Sequence, residues 1–268
     1  MIANVVVSTT RAVVELLSGD AAIRLRNARE APALVQLWVD LGDIASIPDT
    51  SDAPFELTPS LFVLDAGQTQ AVQLHYDGEP LPDHNERLYW INLLDVPARE
   101  HTDERSSNDA AQNTLGDVLR TRLKVLLRLA TAPGNALTAP EQLIWKRERD
   151  SAPARTLLAT TNPTAFHVSC AQVIARGPEG QEKSLGRQTF APGDTVRFTL
   201  APPSAADTPT PASNPPHPSR ADNVAPDKTA SSEWNEAVCH AINDFGSLGT
   251  FRGVVQSEDS SQQPDAAP

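Results

Sequence analysis

The chain has 268 residues, with 34 acidic against 22 basic side chains and a formal net charge of −12. That balance, with no local Lys/Arg cluster, opposes binding to a polyphosphate and argues against nucleic acid as a partner. No run of about 18 apolar residues is present to span a bilayer as a helix, and 23 Pro against 13 Gly marks a chain rich in strand edges and turns, which points to an all-β protein.

From residue 4 to 129, short β-branched and apolar runs alternate with polar turns, at 4–16, 21–27, 33–41, 62–65, 70–76, 87–96 and 119–129. In 21–27, Ile23 and Leu25 fall on one face and Arg24 and Arg26 on the other, the period of a half-buried strand. About seven such strands in roughly 125 residues is the count of an immunoglobulin-like sandwich. The stretch 109–120 is the one place where a helix could begin, and Gly116 weakens it by about 1 kcal/mol relative to Ala.

Residues 131–142, TAPGNALTAPEQ, carry the composition of a linker. A second set of strands follows at 143–149, 154–163, 166–175, 195–200, 236–244 and 250–255. The expected organisation is therefore a first domain over 1–130, a linker over 131–141 and a second domain over 142–257. The segment 201–233, dense in Pro, Ala, Ser and Asp, cannot bury enough surface to offset its ordering entropy and reads as a flexible loop within the second domain. The tail 258–268 reads as disordered for the same reason.

Enzyme signatures are absent: there is no GxSxG, HExxH or phosphate-cradling glycine loop, and the six His are scattered rather than spaced as ligands. His167 reads as a strand-face residue ahead of Cys170 rather than a base. No catalytic group, metal or cofactor is expected. Cys170 and Cys239 either pair once or remain buried thiols. Two cations interrupt strands built to pack: Arg11, after VVVSTT, and Lys124, between Leu123 and Val125. Either they are solvated side chains on outer strand faces, or they converge in a cleft to bind a carboxylate.

In order along the chain, TTRAVVE, RLRN, LVQLWVD, PFELTP, LPDHNERLYWINLLDVP, RTRLKVLLR, LLATTNPTAFHV and AINDFG resemble the pattern of PapD-like periplasmic pilus chaperones of the chaperone-usher pathway. The match runs from about Val5 to Val255. The resemblance implies two immunoglobulin-like sandwiches set in an L or boomerang, and a protein that lends a β-strand to an unfinished pilin, hands it to an outer-membrane usher, and is capable of self-association that caps the lent strand. It implies a periplasmic location; the start, MIANVVVSTT, lacks a secretory leader, so a trimmed chain or a late start is expected.

By the same resemblance, Arg11 and Lys124 bind the subunit's C-terminal carboxylate. Glu86, Arg128 and Asp244 form an interdomain salt-bridge network. The lent strand is the one leading to Lys124, over about 114–128, with Leu115, Asp117 and Leu119 at the positions that fill the subunit's groove. Asp117 departs from the apolar pattern, so either a bulge brings Val118 into play or fewer side chains are inserted. A disulfide between Cys170 on the third strand and Cys239 on the sixth strand of the second domain is expected in an oxidising periplasm. A pair of immunoglobulin-like domains serving as a generic interaction module is the alternative.

Overall fold

The structure, a computed structural model, describes residues 4–98, 118–149, 156–200 and 234–257. Leu115, Asp117, the Pro-rich segment 201–233, the tail 258–268 and most of the candidate helical stretch 109–120 lie outside them. The chain divides into two compact units, the first comprising Met1–Pro133 with Asp244–Gly246, the second Gly134–Asn243 with Ser247–Pro268.

Each unit is a two-layer β-sandwich. In the first, β1 (Val5–Val7), β3 (Asp20–Asn27), β7 (Thr69–Tyr76) and β5 (Phe55–Thr58) form one sheet, in the order β1-β3-β7-β5. The other sheet holds β2 (Arg11–Glu15), β9 (Leu119–Arg128), β8 (Arg87–Pro97), β4 (Ala33–Asp40) and β6 (Leu61–Leu64), in that spatial order. Inward residues at period two, among them Val14, Ile23, Leu25, Val35, Val72, Leu74, Ile91, Leu93 and Val125, are buried between the sheets as one core.

The run 4–16, which reads as one strand, is two. Its first half pairs with β3 and its second with β9. The switch lies at Ser8–Thr10, where the Thr9 hydroxyl donates to the Arg11 carbonyl at 2.7 Å and accepts from the Arg11 amide at 3.3 Å, a local alternative to ladder pairing. A second switch follows β5, a strand the periodicity reading had passed over. Pro59 and Ser60, behind a cis Thr58–Pro59 bond, carry the chain from one sheet to the other.

The second unit packs a sheet of β10 (Ile144–Arg149), β11 (Thr156–Thr161) and β14 (Thr195–Leu200) against one of β13 (Glu182–Phe190), β12 (Val168–Arg176), β15 (Glu236–Ile242) and β16 (Leu248–Val254). Strand β13 was also missed by periodicity, because its residues EKSLGRQTF are mostly polar or half-exposed on an edge. His167 stands before β12 rather than on it. The expected linker contributes a 3-10 turn, Ala139–Gln142, whose Ala139 is buried. Cys170 and Cys239 lie on the neighbouring strands β12 and β15 and are joined by a disulfide, with their Cα atoms 5.5 Å apart.

The same polar device closes the second main strand of each sandwich. Asn27, fully buried, donates to the carbonyls of Ala31 and Leu64, each at 2.9 Å, and accepts from the Arg29 amide. Asn162, also fully buried, donates to the carbonyls of Phe166 and Phe190 at 2.7 and 3.0 Å and accepts from Thr164. Truncating either strands buried carbonyls at about 1–3 kcal/mol per unsatisfied group. Asn27→Ala and Asn162→Ala are each expected to lower the urea midpoint by an amount corresponding to about 2–4 kcal/mol at constant m. A loss under 0.5 kcal/mol would show that the carbonyls find other partners.

Candidate binding site

The site is built on β9. Its residues Leu119 to Leu127 pair antiparallel with β8 along their whole length, from Asp95↔Leu119 to Arg87↔Leu127. On the opposite edge β2 runs parallel to β9, and its pairing begins at Arg11↔Lys124 and ends at Glu15↔Arg128. Among the described residues, no strand covers that edge over Leu119–Leu123. Half of β9 therefore presents its backbone as a template for another strand, and β2 fills the other half.

Side chains on β9 alternate. Leu123, Val125 and Leu127 point into the sandwich, while Arg120, Arg122, Lys124 and Arg128 occupy the outer parity together with the buried Leu126. The register sets Arg11 directly beside Lys124 on that outer face, one strand spacing of about 4.8 Å away. The two expected site cations are thus brought together, at the point where the uncovered edge begins. Their exposure differs from the expectation of two solvated groups: Arg11 is only 6% exposed and Lys124 half-buried. The Lys124 ammonium sits 5.6 Å from the Trp90 ring centre. Burial pulls the Arg11 guanidinium below its ordinary pKa, with the charges of Asp244 and Glu86 acting in the other direction.

Glu86, Arg128 and Asp244 also meet. Arg128 donates through Nη2 to Glu86 Oε2 at 2.5 Å and through Nη1 to Asp244 Oδ2 at 2.8 Å. Burial lowers the Arg128 pKa, but the hydrogen bonds and charges of Asp244 and Glu86 outweigh it and the net shift is upward. Of the lent-strand candidates, Leu119 opens β9 on the core-facing parity of Leu123, half in contact with solvent, and Val118 stands exposed just before the strand.

A second cluster on the outer face was not anticipated. Asp40, only 3% exposed, accepts from Arg122 Nη2 at 2.7 Å, Ser46 Oγ at 2.7 Å, Asn92 Nδ2 at 2.6 Å and the Gly42 amide at 2.6 Å. Arg120 donates to Asn92 Oδ1 at 2.7 Å, to Ser46 Oγ at 3.2 Å and to the Ile44 carbonyl at 2.8 Å. Trp38 and Trp90 each lie 4.9 Å beneath a guanidinium, of Arg120 and Arg122 respectively. The signal was present in the alternation of RTRLK against the Trp and Asn of β4 and β8, but it required the register to read.

The chain matches known proteins over both units. Residues 4–131 match the family model described as "Pili and flagellar-assembly chaperone, PapD N-terminal domain", and residues 138–214 match "Pili assembly chaperone PapD, C-terminal domain". The chain belongs to the PapD family of pilus-assembly chaperones. Within that family it is 31% identical to the chaperone protein FimB/FhaD of Bordetella pertussis, over 71% of this chain and 75% of the relative. It is 31% identical to the chaperone protein MrkB of Klebsiella pneumoniae, over 74% and 80%. The solved structure of the Salmonella enterica SafA pilin in complex with the SafB chaperone shares the fold, with a TM-score of 0.65 and 21% identity over 95% of this chain and 97% of that one. The family is one of chaperones, a binding rather than a catalytic apparatus.

The Asp40 cluster makes a test of pH dependence. Burial would raise this carboxyl's pKa, but the hydrogen bonds from Ser46, Asn92 and Gly42 and the charge of Arg122 outweigh it, so the folded value lies below the ordinary one. A depressed carboxylate contributes stability that is present above about pH 4 and is lost as pH falls through its folded pKa. Asp40→Asn, which leaves Arg122 facing a neutral amide, is expected to cost about 3 kcal/mol at pH 7, with the gap to the native protein closing as pH falls below about 4. A gap independent of pH would show that the charge of Asp40 is not what holds the cluster.

Proposed function

We propose that this chaperone captures a pilin subunit in the periplasm by giving it the uncovered half of β9, with Arg11 and Lys124 anchoring the subunit's C-terminal carboxylate. The observation that carries this reading is the coincidence of the two cations with the start of the uncovered edge. A chain that ends at Arg11 and Lys124 and runs back along Leu123–Leu119 lies parallel to β9. It is then in line with β2, so that subunit strand and β2 together cover one edge of β9 head to tail.

Two charge-assisted hydrogen bonds to the terminal carboxylate, each about 1.5–3 kcal/mol net, would fix the end of the added strand. Fixing the end fixes the register, and a slip by one residue would turn every side chain of the added strand to the wrong face. Leu119, with Leu115 and Val118 or Asp117 upstream, would then present its side chain to the subunit's open groove. Burial of Arg11 serves the anchor: a desolvated guanidinium on a fixed strand gains more from an incoming carboxylate than a solvated one. The SafA–SafB complex, a pilin held by a chaperone of this fold, supports the reading. Delivery of the captured subunit to an outer-membrane usher follows from the same reading.

Lys124→Ala is the cleaner test, since Lys124 is half-buried. Co-expressed with the pilin subunit of its own operon, this variant is expected to keep its Tm within about 2 °C and to lose co-purified subunit, with affinity reduced at least about tenfold. Arg11→Lys keeps the charge but not the two-pronged donor, and is expected to weaken capture without unfolding the sandwich. Normal capture by folded Lys124→Ala would overturn the anchor.

A further inference from the structure

The register across the five-stranded sheet of the first unit lines up one row of residues: Asp40 on β4 faces Trp90 on β8, Trp90 faces Lys124 on β9, and Lys124 faces Arg11 on β2. The two anchor cations are one end of that row, and an indole is their neighbour. Trp90 is half-buried. The Lys124 ammonium lies 5.6 Å and the Arg122 guanidinium 4.9 Å from its ring centre, both within reach of the ring's quadrupole. From the β4 side Gly42 abuts the indole, since a Cβ there would stand 3.8 Å from Trp90 Nε1.

Two cations on one ring repel each other unless one is matched by a carboxylate. Arg122 is matched: it donates to Asp40 Oδ1 at 2.7 Å and to Oδ2 at 3.0 Å. Asp40 is itself fixed by Ser46, Asn92 and the Gly42 amide. The guanidinium is thereby drawn across β8 toward β4, away from the strand that carries Arg11. Lys124 differs. Its ammonium is a point charge on a flexible four-carbon stem, which gives up much rotamer freedom when it is fixed. Arg11 is held by burial on β2, whereas the half-buried Lys124 has the indole face to lie against.

We infer that Trp90 is a positioning residue for the carboxylate anchor: its indole holds the Lys124 ammonium beside Arg11, at the point where the subunit's chain end is received. The inference rests on the proposed anchoring of the subunit's C-terminal carboxylate by Arg11 and Lys124. An ammonium already in place gives up less freedom when the carboxylate arrives, so more of the charge-assisted bond is realised as affinity. The effect is confined to the chain end. Backbone pairing along Leu119–Leu123 uses neither the indole nor the ammonium, so Trp90 acts on the free carboxylate and not on the strand that precedes it.

The test uses the full chain and a synthetic peptide of the C-terminal strand of its operon's pilin subunit, made as the free acid and as the amide. Trp90→Leu, which keeps apolar bulk and removes the ring, is expected to lower the acid-over-amide affinity ratio about two- to fivefold, with the affinity for the amide unchanged. Trp90→Phe, which keeps an aromatic face, is expected to hold the ratio within about twofold of the native value. In a Lys124→Ala background, adding Trp90→Leu is expected to change nothing further. Should Trp90→Leu not fold, Trp90→Thr, a residue suited to a strand face, makes the same comparison. Equal weakening of acid and amide by Trp90→Leu, or the same loss in the Lys124→Ala background, would make the ring a structural support of β8 and overturn the inference. A Trp90→Leu chain that distinguishes acid from amide as well as the native chain does would also overturn it and leave the anchor standing. Failure of the native chain to distinguish them would overturn the anchor itself, and the role of Trp90 with it.

Discussion

The pairing of β2 with β9 begins at Arg11 and Lys124, and the chemistry of the first unit depends on where it begins. Had the run 4–16 stayed in one sheet, β9 would be either fully covered or fully bare. The Thr9 turn instead moves the chain between sheets and lays only five residues of β2 along a ten-residue strand. The remaining edge is the kind of surface that soluble proteins ordinarily blunt, because it templates association. Here its outer face carries Arg120, Arg122 and Lys124, charges that discourage casual pairing yet leave the backbone open.

Charge on this face is arranged to be held rather than solvated. Arg128 is matched by Glu86 and Asp244, Arg122 by Asp40, and Arg120 by Asn92, Ser46 and a loop carbonyl, with two tryptophans beneath the guanidinium layer. Such pairs contribute little net stability compared with apolar packing, but breaking one leaves a buried charge, so they fix geometry firmly. Against a chain of net charge −12, this gives the strand edge a local basic character that bulk composition does not reveal.

The alternation in 21–27, 70–76 and 119–129 made the first sandwich legible, since one face of each strand is apolar and the other is not. Strand β13 was not, because on an edge its side chains need no such pattern. The break inside 4–16 was hidden because both halves are β-branched, and only a hydroxyl bond to the backbone marks the switch. Arg11 and Lys124 stood out as cations among apolar neighbours, yet their adjacency is a matter of register between residues more than a hundred positions apart. The Asp40 cluster depends on three strands and a loop meeting, information that no local window contains. The candidate positions at Leu115 and Asp117 lie outside the described residues.

The most direct measurement is calorimetric binding of a synthetic peptide comprising the last fifteen or so residues of the operon's pilin subunit, made once with a free C-terminal carboxylate and once as the amide. If Arg11 and Lys124 anchor the chain end, the amide binds at least about tenfold more weakly at low salt, and the difference disappears in Lys124→Ala. Equal binding of acid and amide to the native protein would contradict the anchor, and would leave the uncovered edge of β9 without a means of setting register.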